Sequence, residues 1–134
     1  MYSSKVSVSV HILALTALTP DKPITSDWVA GSIQTNPSLV RRLVSLLKRA
    51  GLIQSSTRLG IKGLGRPPEK ISLLDIFRAV ETEQQLFGIH SETNPGCPVG
   101  AKIEAILTET YATVQSDFER HLAGVHLSDI LNLF

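Results

Sequence analysis

The stretch PITSDWVAGSIQTNPSLVRRLVSLLKRAGLI, residues 23–53, carries the start and stop signals of two helices in immediate succession. Ser26 can cap the first, which ends near Gln34. Asn36 can cap the second, with Pro37 at its first position, where the missing N–H is no loss and the fixed φ is already helical. Gly51 suits the left-handed position that ends it. Within the second helix Val40, Leu43, Leu47 and Ala50 form an apolar stripe, and Ser38, Arg41, Arg42, Ser45, Lys48 and Arg49 fall outside it. A helix, a short turn and a helix is the expected unit.

Charge separates sharply along the chain. The net charge of +1 over 134 residues conceals an interval between Asp27 and Glu69 that contains no acid. That interval holds Arg41, Arg42, Lys48, Arg49, Arg58, Lys62 and Arg66, seven of the thirteen Lys and Arg residues. A solvated surface normally intersperses both signs, whereas a one-sign block neutralises phosphates and releases counterions. This pattern leaves two readings open with equal weight, a nucleic-acid partner and a merely hydrated helix face.

Before the helix pair, Val6, Val8 and Val10 alternate as in a strand, but the alternation fails past His11. Val8, Ile12, Leu15 and Leu18 share helical spacing, with Ser3 or Ser4 as cap and Pro20 as stop, so a helix is expected. After the pair, LIQSSTRLGIKGLGRPPEKIS (52–72) reads as a hairpin whose second strand is poorly supported. SLLDIFRAVETEQ (72–84) starts with Ser72 and Asp75 at capping-box spacing, and Leu73, Ile76, Phe77 and Val80 share a face. A loop is expected over 84–97, then a long helix from Pro98 to about Ala123, with Gly124 as its cap, and a short closing helix in LSDILNLF.

Val99, Ile103, Ile106, Leu107, Tyr111, Val114, Phe118 and Leu122 line one edge of the long helix. So long a stripe needs a partner, either the rest of the same chain or the same helix of a second copy, and the second copy is the favoured one. No apolar run approaches the roughly 20 residues of a membrane span, and the N-terminus lacks the pattern of a secretory signal. The expected chain is soluble and cytoplasmic, with no membrane partner.

These segments in this order, TSDWVAGSIQTNPSLVRRLVSLLKRAGLI, the Gly-rich stretch ending at Pro68, ISLLDIFRAVE, and NPGCPVG before a long helix, resemble the Rrf-two family of bacterial transcription regulators. The resemblance spans nearly the whole chain. It implies a mainly α winged helix-turn-helix fold: a three-helix core plus a short β-hairpin wing, with a long C-terminal dimerisation helix. The expected division is residues 1–83 for the DNA-binding part, 84–98 for a loop holding the lone cysteine, and 99–134 for the dimerisation and closing helices, all in one compact unit. The implied function is that of a homodimeric regulator, a repressor, on a palindromic operator in double-stranded DNA.

In such regulators the second helix enters the major groove, here through Pro37 to Arg42, Leu39 included. Ser38 and Arg41 are the candidates for base edges, Arg41 as a bidentate partner of guanine. Arg42, Ser45, Lys48 and Arg49 are assigned to phosphates or the groove wall. Arg58, Lys62 and Arg66 are the wing cations, although RLGIKGLGRPP is shorter than the family's wing and lacks an obvious paired strand. Ile103, Ile106, Leu107, Tyr111, Val114, Phe118 and Leu122 are the expected dimer contacts.

Some branches of the family hold an iron-sulfur cluster on three cysteines in the loop before the long helix; this chain has one, Cys97. A cluster needs about four protein ligands, mostly thiolates, so no cofactor is expected. A zinc site from Cys97 with His90, His121 or His126 matches no zinc spacing. A Cys97–His90 dyad lacks the third group and the oxyanion pocket of a thiol enzyme, so an enzyme is not expected. What stays open is a small capping residue or a thiol activated by a helix start and sensitive to oxidation, as the single-cysteine relatives suggest. The competing function is a winged-helix interaction or ligand-binding module that does not bind an operator.

Overall fold

The structure is a computed structural model and describes residues 3–134. Six α-helices and one hairpin follow in the order α1 (Lys5–Leu18), α2 (Ser26–Ile33), α3 (Pro37–Arg49), β1 (Ile53–Ser56), β2 (Gly60–Leu64), α4 (Leu73–Val80), α5 (Ile103–Ala123) and α6 (Leu127–Leu131). A single 3-10 turn, Pro68–Lys70, joins β2 to α4. This is the expected winged-helix order.

The core gathers one face from each element. Ile12 and Leu13 of α1, Val29 of α2, Val40, Leu43 and Leu47 of α3, Ile61 of β2, and Ile76 and Val80 of α4 are all buried together. Leu127 of α6 is in the same cluster, fully buried. Its N–H donates to Ile71 O at 2.8 Å, and Ser72 and His126 form an antiparallel bridge. The short closing helix, which follows the long helix in sequence, therefore packs into the core of the N-terminal part.

Local signals explain most boundaries. The Asn36 side chain accepts from Ser38 N at 2.7 Å, Pro37 opens α3, and Gly51 takes φ +78° just after it. At α4, Ser72 Oγ accepts from Asp75 N at 3.0 Å and Asp75 Oδ2 accepts from Ser72 N at 2.9 Å, closing the capping box.

Four expectations need correction. The cap of α2 is Thr25, not Ser26: the Thr25 hydroxyl accepts from Trp28 N at 3.1 Å, so Ser26 is already the first helical residue. The inward face of α1 is Ser9, Ile12, Leu13 and Thr16, while Leu18 is 57% exposed. Two hydroxyl residues on the core side hide this face from an apolar pattern; Thr16 satisfies its own hydroxyl by donating to Ile12 O at 2.8 Å.

The wing has a real second strand. Ile53 pairs with Leu64, Gln54 with Gly63, Ser55 with Ile61 and Ser56 with Gly60, and Lys62 is the extra residue of a bulge. Finally, α5 begins at Ile103 rather than Pro98. Residues 95–102 form turns instead, with Ala101 N donating to Cys97 O at 2.9 Å and Ile103 N to Val99 O at 2.9 Å.

Candidate nucleic-acid interface

Burial of Val40, Leu43, Val44 and Leu47 fixes which side of α3 faces out. Ser38, Arg41, Arg42, Ser45, Lys48 and Arg49 are exposed, as their positions off the stripe require. Arg41 Nη2 donates to Ser38 Oγ at 3.3 Å, so the two candidate base readers form one polar unit on the first turns of the helix. Leu39 is only half-buried and packs against the core, which leaves just its outer edge at the surface.

The hairpin is set against α3 by an unusual strand partner. Ile61 exchanges both backbone hydrogen bonds with Ile24, at 2.9 and 2.8 Å, in the segment just before α2. At Gly60 the backbone turns at φ +83°, and a Cβ there would stand 2.5 Å from Ile24 O. Only glycine permits that approach. Ser56 Oγ accepts from Leu59 N at 2.8 Å, closing the tip and leaving Arg58 exposed.

Between α3, the wing and the start of α2 runs a cleft of about 450 Å³. Arg41, Ser45 and Lys48 line it from α3, and Ser56, Thr57 and Arg58 from the wing. Thr25 and Ser26, at the N-terminus of α2, close its third side. Neither residue is among the DNA contacts expected from the sequence, where Ser26 enters only as a helix cap; the Thr-Ser pair at a helix start is the available signal. Val44 and Ile61 also line it, and no carboxylate does. Among the described residues, the ion pairs involve Arg66, Arg78, Arg120 and His126, and none of the cations of α3 or the wing tip.

The seven basic residues do not act as one group. Arg42, Arg49 and Lys62 are exposed but lie outside the cleft lining. Arg66 departs from its expected place among the wing cations. Its guanidinium is turned onto the protein, donating to Ala50 O at 3.3 Å, Lys70 O at 3.2 Å and Asp75 Oδ2 at 3.3 Å.

The expected dimer stripe divides likewise. Phe118 packs edge-to-face on Phe77 of α4, centroids 5.7 Å apart, and Arg78 bonds Glu119 at 3.2 Å, so this end of α5 is used within the chain. Tyr111 meets Phe87 at 4.9 Å. Ile103, Leu107 and Leu122 are half-buried, whereas Val99, Ile106 and Val114 stay exposed, and no residue of this 21-residue helix is buried.

Cys97 is exposed in the turn ahead of α5. The N–H groups of Gly100 and Val99 reach its sulfur and hold the thiol below its ordinary pKa. The sequence places Cys97 at the start of the long helix; here both N–H groups come instead from the turn that leads into α5. No imidazole contributes to the shift. Among the described residues no three His, Cys, Asp or Glu side chains stand close enough to share a metal ion, so His90, His121 and His126 do not assemble with the thiol.

Comparison with known proteins bears on this arrangement. Residues 2–133 match the family model Rrf2, described as an iron-dependent transcriptional regulator. The chain is 42% identical over 134 residues to YwnA of Bacillus subtilis (strain 168), named as a candidate HTH-type transcriptional regulator, covering 98% of both chains. A crystal structure described as that of a candidate DNA-binding protein superposes with a TM-score of 0.77 at 38% identity, covering 96% of this chain and 99% of the other. CymR, the global cysteine regulator of B. subtilis, shares the fold at a TM-score of 0.71 and 21% identity, over 98% of this chain and 96% of its own. The iron in the family description does not fit the donors here: one cysteine cannot supply the thiolates of a cluster, and no carboxylate or histidine group completes the set among the described residues. No helix among the described residues is long and apolar enough to cross a membrane. Matched along nearly its whole length and folded as a winged helix, the chain belongs to the Rrf2 family of transcriptional regulators.

Proposed function

We propose that the protein is a homodimeric repressor that reads a palindromic operator through α3 and the wing. The observation that carries this reading is the acid-free cleft in which Arg41, Lys48 and Arg58 converge with the hydroxyls of Ser45, Ser56 and Thr57. Such a groove accepts a phosphate backbone on its cations and hydroxyls, while Ser38 and Arg41 on the first turns of α3 reach base edges. Leu39 adds an apolar edge there. Arg42, Ser45, Lys48, Arg49, Arg58 and Lys62 serve phosphates. Arg66 is left out of this set because its guanidinium is turned onto Ala50 O, Lys70 O and Asp75.

A second copy of the chain is the proposed cover for α5. No residue of this 21-residue helix is buried, and Ile106 and Val114, with Val99 in the turn ahead of it, stay exposed on one edge, whereas its contacts through Tyr111, Phe118 and Glu119 cover only part of the helix. Ile103, Leu107, Tyr111 and Leu122 extend that edge, and Phe118 joins it only by the rim left free of Phe77. Two-fold pairing sets the two α3 helices one helical turn of DNA, about 34–36 Å, or a multiple of it apart.

The test is selection of genomic fragments by the full chain, together with its mass in solution. The expected result is a dimer and an enriched inverted repeat. A monomer that enriches no sequence would point instead to an interaction module without an operator.

Oxidation of Cys97 is proposed as the switch, on the strength of an exposed thiol with lowered pKa between the reader and α5. Alkylation of the native protein is expected to proceed at lower pH than that of the same chain unfolded in urea. By linkage the same shift lets the fold gain stability as pH rises from the native to the unfolded thiol pKa, and lose it as pH falls through the native value. Operator affinity of the wild type should respond to peroxide and that of Cys97→Ser should not. Identical responses from the two proteins would remove Cys97 as the sensor.

A further inference from the structure

The cleft has two walls, α3 and the wing, and something must hold the angle between them. At the base the returning strand is bound tightly: Gly65 N donates to Leu52 O at 2.9 Å, and a Cβ on Gly65 would stand 2.2 Å from Gly51 O, so this strand lies directly on the turn that ends α3. The next residue is Arg66.

Its three acceptors come from three different places. Ala50 O belongs to the C-cap of α3, Lys70 O to the 3-10 turn, and Asp75 Oδ2 to the first turn of α4, where the same oxygen also accepts from Ser72 N. A planar guanidinium can bridge carbonyls and a carboxylate in fixed directions, which an ammonium cannot do. Further along α4, Phe77 and Arg78 meet α5. The wing's return end is thereby tied both to the recognition helix and to the helix that carries α5.

We propose that Arg66 is a positioning residue: it latches the base of the wing to the C-cap of α3 and to Asp75 and so sets the opening of the DNA cleft, without touching DNA. This rests on the DNA-binding reading above, and it reverses the charge logic by which Arg66 counts as one more phosphate contact. If Arg66 met a phosphate, Arg66→Lys would keep its charge and most of its effect. Asp75→Asn, by removing an acid, would leave binding unchanged or tighten it. The latch has the opposite consequences. Lysine cannot span the three acceptors, and the amide oxygen introduced by Asp75→Asn keeps the cap bond from Ser72 N but weakens the tie to Arg66.

The experiment compares full-length wild type, Arg66→Lys and Asp75→Asn for affinity to the selected duplex over a range of salt, and for amide hydrogen exchange without DNA. Both variants are expected to bind roughly three- to tenfold more weakly at each salt concentration. Their salt slopes should match that of the wild type, whereas loss of a phosphate contact would lower the slope by about 0.9. Exchange should quicken at Ile61 and Gly65 while Ile76 and Val80, in the core of α4, keep wild-type rates. Wild-type affinity in Arg66→Lys together with unchanged or tighter binding in Asp75→Asn would overturn the latch, and so would exchange quickened uniformly through the core. If the wild type itself binds no duplex, the regulator reading fails; hydrogen exchange then decides the latch, which stands if the hairpin alone loosens and falls if it does not.

Discussion

Arg41→Ala is expected to weaken operator binding by about 1–3 kcal/mol per subunit, roughly 5- to 150-fold, and to relax discrimination at one base pair in each half-site. Arg41 is exposed, lies on the second turn of α3, lines the cleft, and is held by Ser38 Oγ at 3.3 Å. That bond pre-orders the side chain, so less rotamer entropy is lost on binding. Because burial of Val40, Val44 and Leu47 fixes the helix face, the substitution leaves the fold intact. Affinities for operators carrying each base at the affected position check it. Equal losses on every sequence would reassign Arg41 to a phosphate.

Leu47→Ala should cost about 2–5 kcal/mol of stability, a large share of the roughly 5–15 kcal/mol that holds such a domain together. Leu47 is fully buried in the cluster that also takes Leu43, Leu52 and Ile76. With Val40, Leu43 and Val44 it anchors the recognition helix, so the same truncation that opens a cavity also loosens α3 against the core. Urea unfolding at fixed protein concentration, needed because a dimer's stability depends on it, measures the loss. A change under about 1 kcal/mol would contradict the observed packing.

The parts of the fold legible in sequence are those written in local chemistry. Asn36 and Pro37 announce α3, Ser72 and Asp75 announce α4, and the period of Val40, Leu43 and Leu47 is enough to assign the inside and outside of α3. What escapes depends on distant partners. The second strand of the expected hairpin has little support in sequence until Ile24 is seen to pair with Ile61, and Gly60 then proves to be a requirement of that approach. The inward face of α1 is hidden because Ser9 and Thr16 are polar by composition yet buried by position.

The candidate site shows the same division. Outward cations on α3 follow from helix periodicity, and the structure brings Arg41 and Lys48 to one cleft with Arg58. Arg66 has the same sequence credentials as Arg58, and only tertiary packing turns it back onto Ala50 O and Asp75. Pro98 carries the signature of a first helical residue, but the turn around Cys97 closes on itself and the regular helix waits until Ile103.

Titration of the full-length protein with its selected duplex and with a scrambled duplex of equal length, across a series of salt concentrations, is the most direct test of the central claim that the α3–wing cleft reads DNA. The prediction is tighter binding to the selected duplex at every salt concentration, with log affinity falling linearly in log salt by about 0.9 for each phosphate held by the cleft and its flanking cations. Equal affinity for both duplexes, or affinity indifferent to salt, would contradict it.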